Sequence, residues 1–572
     1  LGQYPTAAYN TLVAAKTTAK TVEEVEAAIV AFNNSKNRPV FMITGVKDYV
    51  LGKSTYDDGV DAPNFKTTNV YDKTMWWALD MTSREVSPIE SVGIQNLGTG
   101  KNFWNCATIK ITETSENNGV GIANDGIYLF YTTDNNTPIH AQDDLDVITR
   151  WSSSDAGSGS AWTFTYVGST FELSQYTETY FQAGNELNEM YNNIPDYEFG
   201  VGVNYYSEQQ HGSLAAAKEK AKEVLAKEKA TEEELLAAGK ALRIALAQVS
   251  LNKPVEGKFY RLRCMDGDKY MQYTIADNDN DKKKFKMVAG DDGKTHDATF
   301  CYFNSGLVSL QNALYMNLSR NEASYSRSLC KVYFTESSVL GQYNIELSER
   351  MLYGANDMID SGAAVDNRAG YRWQLEEVTE IPVTISEAGY ASFYATAAME
   401  LPAELEAYYV SYVGEDQVAL EQIEGIIPDG AAVLLKGETG DYNLTVVNEK
   451  TTEIKDNKLK GVVVSKYIAG DAYVLAADDA ALIKAELNRN GNGEAVENGT
   501  HFLANGFSAY LPVADAIQDA LTFNFDGSIT GVTLVPVTNN ANAAIYDLSG
   551  RRVVNAVKGG IYIQNGKKFI VK

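Results

Sequence analysis

The stretch Gly-Lys-Phe-Tyr-Arg-Leu-Arg (257–263) opens a β pattern that continues through Lys-Tyr-Met-Gln (269–272) and closes on Phe-Cys-Tyr-Phe (300–303). The same order returns twice, at 306–334 and 341–375: an opening strand, a turn, a strand containing tyrosine, a polar excursion and an aromatic closing strand. Because no single pass can bury its own apolar face, the three passes are expected to fold together.

Three such passes predict a β-trefoil. The same order of motifs occurs earlier in the chain, at 39–79, 92–111 and 126–165. Internal repetition on this scale is a strong signal of architecture. The sequence therefore predicts two trefoil-like modules, at 37–174 and 255–379.

Length and charge limit the classes of partner. The chain has 572 residues, enough for roughly three to five domains. Its 49 basic and 75 acidic side chains give a formal charge of −26, which opposes binding to DNA, RNA or anionic lipid. No run approaches 18 apolar residues, so we expect no membrane-spanning segment. The chain begins at Leu1 without Met, and we expect a processed or trimmed product.

The four cysteines, Cys106, Cys264, Cys301 and Cys330, contain no Cys-x-x-Cys motif. One falls in the first trefoil-like module and three in the second, so pairing within modules cannot satisfy all four. A Cys264–Cys301 bond remains open, but the spacing does not require it. The pattern is not that of a disulfide-stabilised scaffold.

Helical hairpins are predicted before each trefoil-like module, and another helical piece near 180–191. Thr21 with Glu24, and Thr231 with Glu234, have the spacing of capping boxes. The apolar stripes at helical spacing are Val22, Val25, Ile29 and Phe32 in the first hairpin, and Leu214, Ala217, Ala221, Val224, Leu235, Ala238, Leu242, Ala245 and Val249 in the second. The hairpins resemble FIVAR modules, which implies spacers or sugar-binding adjuncts of bacterial surface enzymes.

Residues 380–535 predict a further β domain, with apolar strands separated by turns rich in Gly and Asp. We expect it to be sandwich-like. Its segments Gly-Tyr-Ala-Ser-Phe-Tyr (389–394) and Ile-Ile-Pro-Asp-Gly-Ala-Ala-Val (426–433) resemble a module of surface proteins from gut and oral Bacteroidetes.

The last stretch, 536–572, predicts three short strands with Ser-Gly and Asn-Gly turns. Ile-Tyr-Asp-Leu-Ser-Gly-Arg-Arg-Val (545–553) and Lys-Gly-Gly-Ile-Tyr-Ile (558–563) resemble the C-terminal sorting domain of the type IX secretion system. The resemblance implies export across the outer membrane, with attachment at the cell surface left open. In that family the tail is often removed on export, whereas this chain retains it.

The sequence offers few groups for catalysis. Its four histidines, His140, His211, His296 and His501, form no close metal-binding pair, and no nucleophile elbow, Walker loop or dinucleotide fingerprint is present. No pair of carboxylates stands out among so many. The run 277–281 resembles a calcium loop but has Lys282 in place of Gly and Val288 in place of the final Glu, so we expect a solvated loop there. We expect no metal, no cofactor and no enzymatic activity in this chain.

Tryptophan suggests where a sugar could stack, since an aromatic face and nearby hydrogen-bonding groups make a shallow sugar site. Trp104 and Trp151 lie in polar surroundings and are candidates for exposure. By contrast, Trp77, Trp162 and Trp373 lie on closing strands and are expected to be buried.

In the second module, Asp266, Asp268 and Tyr270 occupy the early turn where ricin-type trefoils, which the repeat pattern resembles, place an acidic sugar ligand. The Gln-x-Trp signature of that family is replaced by Tyr-Arg-Trp-Gln (371–374). The resemblance therefore implies these three residues as a sugar site without the complete family motif.

Together these patterns predict an exported, mainly β, noncatalytic protein that binds glycans or glycoproteins at the cell surface. Two alternatives remain: the accessory half of a glycan-degrading enzyme or peptidase whose catalytic domain lies upstream, or a structural, adhesive surface protein. The predicted domains are 1–36 (helical hairpin), 37–174 (trefoil-like), 175–254 (helical spacer), 255–379 (trefoil-like), 380–535 (β-rich) and 536–572 (sorting-like β domain).

Overall fold

The chain is multidomain and mainly β, as predicted. The computed structural model describes residues 4–45, 50–52, 62–65, 69–81, 89–102, 109–112, 121–122, 127–131, 137–142, 147–150, 155–156, 158–273, 285–318, 323–355, 358–362, 368–525, 544–548, 551–554, 557–558, 560–564 and 567–570. It divides into unit 1, Leu1–Asp196 with Gln209–Val249, and unit 2, Tyr197–Glu208 with Ser250–Lys572. The domain boundaries drawn from the sequence stay a prediction.

Unit 1 contains a closed six-stranded barrel. The strands described in unit 1 are β1 (Pro39–Thr44), β2 (Val50–Leu51), β3 (Ala62–Phe65), β4 (Trp76–Met81), β5 (Ile89–Asn96), β6 (Ile109–Thr112), β7 (Gly121–Ile122), β8 (Ile127–Tyr131), β9 (Thr137–Gln142), β10 (Val147–Arg150), β11 (Asp155–Ala156) and β12 (Ala161–Ser169), and six of them form the barrel. Antiparallel ladders join β1 to β4, β4 to β5, β5 to β6, β6 to β8, β8 to β12 and β12 back to β1. The hairpins β2–β3 and β9–β10 cover one end and pair with each other. This is a trefoil-like arrangement.

Tryptophan on a closing strand fills the barrel core, as the sequence predicted. Trp77 is 1% exposed and its indole N–H donates to the Leu51 carbonyl at 2.7 Å. Trp162 is 3% exposed and donates to the Ile139 carbonyl at 3.1 Å. In both cases the indole N–H on the closing strand donates to a backbone carbonyl in the hairpin of the same repeat. The buried indole N–H therefore has a hydrogen-bond partner.

The helices are α1 (Thr6–Thr18), α2 (Val22–Asn34), α3 (Thr170–Leu173), α4 (Glu178–Asn192), α5 (Glu208–Leu225) and α6 (Glu232–Gln248). The stripes predicted on α5 and α6 are buried, with Val249 half-buried just beyond α6. Thr231 and Glu234 form the complete capping box. At α2, the Thr21 hydroxyl caps the helix, but the Glu24 carboxylate accepts from the N–H of Lys20 instead of Thr21. Val22, at 69% exposed, shows that the stripe of α2 is largely open to solvent.

Helix α4 fixes the helical part of unit 1 to the first barrel. Phe181 of α4 packs edge-on against Trp76 with ring centroids 5.3 Å apart. Gly184 lies so close to Tyr71 that a Cβ there would be 2.3 Å from the ring. Because α4 also packs on α6, the predicted helical segment 175–254 is more than a hairpin.

Unit 2 contains a second trefoil-like barrel with twelve paired strands. A short parallel pair, β13 (Phe199–Gly200) and β14 (Tyr206–Ser207), precedes it. The barrel strands are β15 (Phe259–Cys264), β16 (Lys269–Tyr273), β17 (Phe285–Ala289), β18 (Thr299–Phe303), β19 (Gly306–Ser309), β20 (Tyr315–Leu318), β21 (Ala323–Ser326), β22 (Val332–Glu336), β23 (Tyr343–Leu347), β24 (Arg350–Ala355), β25 (Met358–Gly362) and β26 (Trp373–Val378). They form three repeats of four strands.

The barrel of unit 2 is nearly closed. Ladders join β26 to β15, β15 to β18, β18 to β19, β22 to β23 and β23 to β26. At the sixth junction the Val332 N–H donates to the Ser305 carbonyl, next to β19, at 2.8 Å. Trp373 is fully buried, as predicted, and its indole N–H donates to the Leu352 carbonyl at 3.1 Å. The bonding of Trp77 and Trp162 is thus repeated here.

The third β domain follows without a break in the core. Its strands are β27 (Glu380–Ile385), β28 (Tyr390–Tyr394), β29 (Met399–Glu400), β30 (Glu406–Val413), β31 (Gln417–Ile423), β32 (Ile426–Ile427), β33 (Ala432–Lys436), β34 (Gly440–Val446), β35 (Lys460–Val462), β36 (Lys466–Ala469), β37 (Ala472–Leu475), β38 (Ala481–Lys484), β39 (His501–Ala504), β40 (Ser508–Pro512) and β41 (Ala520–Asn524). A four-stranded sheet packs on a nine-stranded sheet. The same cluster of buried side chains includes Phe259 and Val308 of the barrel and Val433 and Leu444 of the third domain.

The C-terminal residues form four short strands, one more than the sequence predicted: β42 (Ile545–Tyr546), β43 (Arg552–Val553), β44 (Ile561–Gln564) and β45 (Lys567–Ile570). The predicted Ser-Gly and Asn-Gly turns, at 549–550 and 565–566, lie outside the described residues. The additional strand, β43, pairs with β42 alone.

The disulfide that the sequence left open is not formed. Cys264, Cys301 and Cys330 are free and buried, and Cys106 lies outside the described residues. Burial raises the pKa of Cys264 to about 11 and that of Cys301 to about 12, because the thiolate would lose its hydration. These two thiols behave as small apolar core residues.

Candidate functional site

The predicted sugar site lies in the turn between β15 and β16. Asp266 and Asp268 are exposed there, and Asp268 has a left-handed backbone with φ of 55°. The Asp268 carboxylate accepts a hydrogen bond from the Arg263 Nε, which lowers the pKa of Asp268. The acidic side chain that a sugar would use is therefore already paired with a neighbour.

Tyr270 lies beneath this turn, not on its surface. It is 5% exposed, and its hydroxyl donates to the Glu376 carboxylate at 2.8 Å. Burial, together with that bond, raises the pKa of Tyr270 to about 12. Asp268 and Tyr270 therefore both lie at the β15–β16 pair, but Tyr270 offers little ring surface to a ligand.

The sequence-predicted residues of the first barrel cannot be placed. Trp104 and Trp151 lie outside the described residues, as does the acidic run 277–281. Their roles as stacking surfaces, and the expectation of a solvated loop at 277–281, stay predictions. Among the residues that are described, no group of three or more His, Cys, Asp or Glu is arranged to hold a metal ion.

An open cleft of about 440 Å³ lies on the second barrel, between its second and third repeats. It is built by the turn that joins β23 to β24 and by the segment that leads from β21 into β22. Its walls carry hydroxyl, amide, carboxylate, ammonium and aromatic groups: Asn317, Ser326, Ser328, Leu329, Cys330, Lys331, Tyr333, Glu346, Ser348 and Glu349.

Side chains on β22 and β23 alternate between the barrel core and the outside, and this alternation determines which of them form the floor of the cleft. Val332 and Phe334 point into the barrel core, so Tyr333 points outward and is 56% exposed. Tyr333 lies directly opposite Glu346 on β23. An aromatic face and a carboxylate are therefore cross-strand neighbours in the open cleft.

The turn at Ser348–Glu349 sets the rim. Both residues have positive φ, 50° and 63°, in a two-residue loop between Leu347 and Arg350. Such a loop matches the twist of the paired strands and holds its side chains in a fixed position. The Ser348 hydroxyl also contacts the Cys330 Sγ at 3.3 Å, which ties the two walls together.

These groups suit an uncharged, hydroxyl-rich ligand. A sugar ring could lie on Tyr333, while the carboxylates of Glu346 and Glu349 and the amide of Asn317 accept or donate hydrogen bonds to its hydroxyls. Two carboxylates against one ammonium, that of Lys331, make the cleft unfavourable for a strongly anionic ligand.

Sequence reasoning placed the sugar site at the β15–β16 turn of the first repeat, which stays a prediction, and did not consider the β23–β24 turn. By strand order, the β23–β24 turn of the third repeat corresponds to the β15–β16 turn of the first. Two signals pointed to it: Tyr333 at an outward position between two apolar residues, and Ser-Glu (348–349) between alternating strands. The approach of the segment before β22 follows from the register of the β22–β23 ladder, in which Val332 lies opposite Leu347.

A second cleft, of about 500 Å³, lies in unit 1 and is lined by Tyr4, Pro5, Asn37, Pro39, Tyr166, Ser169 and Phe171. Several of its polar atoms already have partners within the chain. The Asn37 side-chain oxygen accepts from the Phe171 N–H at 3.0 Å, and the Tyr166 hydroxyl donates to Glu172 at 3.2 Å. This cleft offers aromatic surface but few polar groups for a sugar.

Comparison with known proteins gives no family. No family model matches the chain, and no curated protein does. Solved structures that align include a BEL β-trefoil (17% identity, 22% of this chain and 97% of that one, TM-score 0.19) and Cry35Ab1 (8% identity, 45% and 89%, TM-score 0.18). A mosquitocidal holotoxin also aligns (10% identity, TM-score 0.17), with 94% of this chain covering 57% of that one. These TM-scores are too low to establish a shared fold, so the trefoil-like description rests on the strand pairings.

Proposed function

We propose that the chain is a noncatalytic glycan-binding protein and that the cleft between the second and third repeats of the second barrel is its binding site. The observation that supports this most directly is the exposed ring of Tyr333 opposite the Glu346 carboxylate, in a cleft rimmed by hydroxyl and amide groups. The favoured ligand is a neutral glycan or the glycan of a glycoprotein.

The openness of the cleft and the net charge of the chain support this choice of site and ligand. The cleft is open, so a ligand can enter without rearrangement of the barrel, and the Ser348–Glu349 turn is fixed by its two-residue geometry. The net charge of −26 makes sulfated or sialylated glycans poorer ligands than neutral ones.

The test is a glycan array probed with the full chain and with Tyr333→Ala and Glu346→Gln. Both variants should bind the selected glycan at least about tenfold more weakly, which corresponds to about 1.4 kcal/mol. Tyr412→Ala is the matched control, because Tyr412 is an exposed tyrosine in the third domain, at 40%. It should bind like the parent chain.

Three results would contradict the proposed site or the proposed function. Unchanged binding by Tyr333→Ala would remove the site from this cleft. Loss of binding in Trp104→Ala or Trp151→Ala alone would place the site in the first barrel instead. Absence of binding to every glycan would overturn the proposed function.

A location at the cell surface belongs to the same proposal. It is supported by the resemblance of residues 545–563 to a type IX sorting domain. In the described residues no helix is long and apolar enough to cross a membrane. Labelling intact producing cells with an impermeant reagent should modify the chain; labelling only after lysis would contradict an outer location.

A further inference from the structure

We infer that the second barrel has one usable ligand turn out of three, because the third β domain covers the turn of the second repeat. This inference rests on the glycan-binding function proposed above. It concerns how many ligands the barrel can hold at once, and therefore whether this barrel could crosslink glycans.

The three repeats place three turns in corresponding positions. They are residues 265–268 between β15 and β16, residues 310–314 between β19 and β20, and residues 348–349 between β23 and β24. If the repeats were independent, each turn could contribute a site. Their surroundings are different.

In the turn of the second repeat, the third domain covers Ala313, although Gln311 of the same turn is exposed. The Ala313 carbonyl accepts a hydrogen bond from the Ser465 N–H at 2.8 Å, and Ala313 is 7% exposed. Gly506 approaches so closely that a Cβ there would be 2.2 Å from the Ala313 Cβ. A ligand has no room between these two backbones.

This contact is held by apolar packing. Ala313 belongs to the continuous core that also contains Val463 and Phe507 of the third domain, and the Phe507 ring lies 6.0 Å from that of Phe259. Displacing the third domain would expose this whole cluster to water, which a weakly bound sugar cannot offset.

The turn of the first repeat is open, but the described residues around it present little aromatic surface. Asp268 is paired with Arg263, and the nearby Tyr270 is 5% exposed. Beside the turn of the third repeat, by contrast, Tyr333 on β22, the closing strand of the second repeat, is 56% exposed. Among the described residues, the turn of the third repeat is therefore the one that combines accessibility with an exposed ring.

Native mass spectrometry of the full chain counts bound ligands directly. Lactose, N,N′-diacetylchitobiose and α-1,2-mannobiose serve as probes, each titrated to saturation. One substitution is made for each turn: Asp268→Asn, Gln311→Ala and Tyr333→Ala. Asp268 and Gln311 are exposed, so these changes leave the core intact.

With any probe that binds, the maximum number bound per chain should fall by one in Tyr333→Ala and stay at the parent value in the other two variants. Counting differences makes the result independent of sites in the first barrel. A decrease in Asp268→Asn or Gln311→Ala would overturn the single-turn inference while leaving glycan binding in place. No binding of any probe, together with an empty array, would overturn both proposals.

Discussion

Three tryptophans bond the closing strands of the barrels in the same way, and Trp373 offers the clearest test. Its indole N–H donates to the buried Leu352 carbonyl. Trp373→Phe removes that donor and leaves a small cavity. The free energy of unfolding should therefore decrease by about 2–4 kcal/mol. Denaturant unfolding followed by circular dichroism measures the change.

The exposed Tyr333→Phe provides the comparison for Trp373→Phe, since it removes a polar atom without opening the core. It should change the free energy of unfolding by less than about 0.5 kcal/mol. Equal effects from the two substitutions would show that the indole bond does not stabilise the barrel.

Tyr270 is expected to make the stability of the folded chain depend on pH. Its folded pKa is about 12, because of burial and the bond to Glu376, whereas an unfolded tyrosine has a pKa of about 10. A pKa that is higher in the folded state contributes stability that is complete below about pH 10 and is lost as the pH rises through about 12.

Tyr270→Phe removes this titration. Between pH 10 and 12 the parent chain should therefore lose more stability than the variant, measured by urea unfolding at a series of pH values. Parallel curves for the two chains would exclude a role for this hydroxyl in alkaline unfolding.

At the scale of elements, α4 depends on a glycine. A Cβ at Gly184 would lie 2.3 Å from the Tyr71 ring, which is buried and cannot move aside. Gly184→Ala should therefore destabilise unit 1 by about 1–3 kcal/mol through overpacking. Thermal unfolding followed by calorimetry reports the shift.

Gly212 in α5 is the matched control, since a Cβ there would meet nothing within 4 Å. Gly212→Ala should stabilise the helix by about 0.5–1 kcal/mol, because alanine loses less backbone entropy on folding. If both changes had the same sign, the close contact between α4 and the barrel would not be important.

The elements also show what sequence patterns can predict. Leu214, Ala217, Ala221 and Val224 predicted the buried face of α5 correctly, because helical spacing fixes which side chains share a face. In α2 the same spacing produced a stripe that is exposed at Val22. Periodicity specifies a face of a helix, but the rest of the fold decides whether anything covers it.

The candidate site was harder to predict for a related reason. Tyr333 is outward by simple strand alternation, which the sequence contains. The Ser348–Glu349 turn lies beside the segment before β22 because the β22–β23 ladder pairs Val332 with Leu347, and the sequence alone does not predict that register. Asp268 met the family pattern, but its pairing with Arg263 depends on the register of β15 and on the turn that follows.

At the scale of the whole molecule, the second barrel and the third domain should unfold together. They share one core, and Gly257, with φ of 82°, lies where a Cβ would be 1.9 Å from the Thr396 carbonyl oxygen. Gly257→Ala is therefore expected to lower the melting temperature of both parts. Hydrogen exchange measured by mass spectrometry can follow peptides from each part.

Separate transitions for the peptides of 257–378 and 380–525 would contradict that expectation. Limited proteolysis supplies an independent check, because a protease should not cut near residue 379 in the folded chain. A stable fragment ending there would show that the predicted boundary marks a true linker.

The close approach of Gly257 to Thr396 also determines how unit 2 carries a pulling force. A glycan bound at the proposed site would pull on β22, and the load would pass through packed side chains into the sheets of the third domain. No extensible tether lies between these two parts, because Trp373–Val378 is followed at once by Glu380–Ile385. The barrel and the third domain are therefore expected to move as one rigid body when a force acts at the cleft.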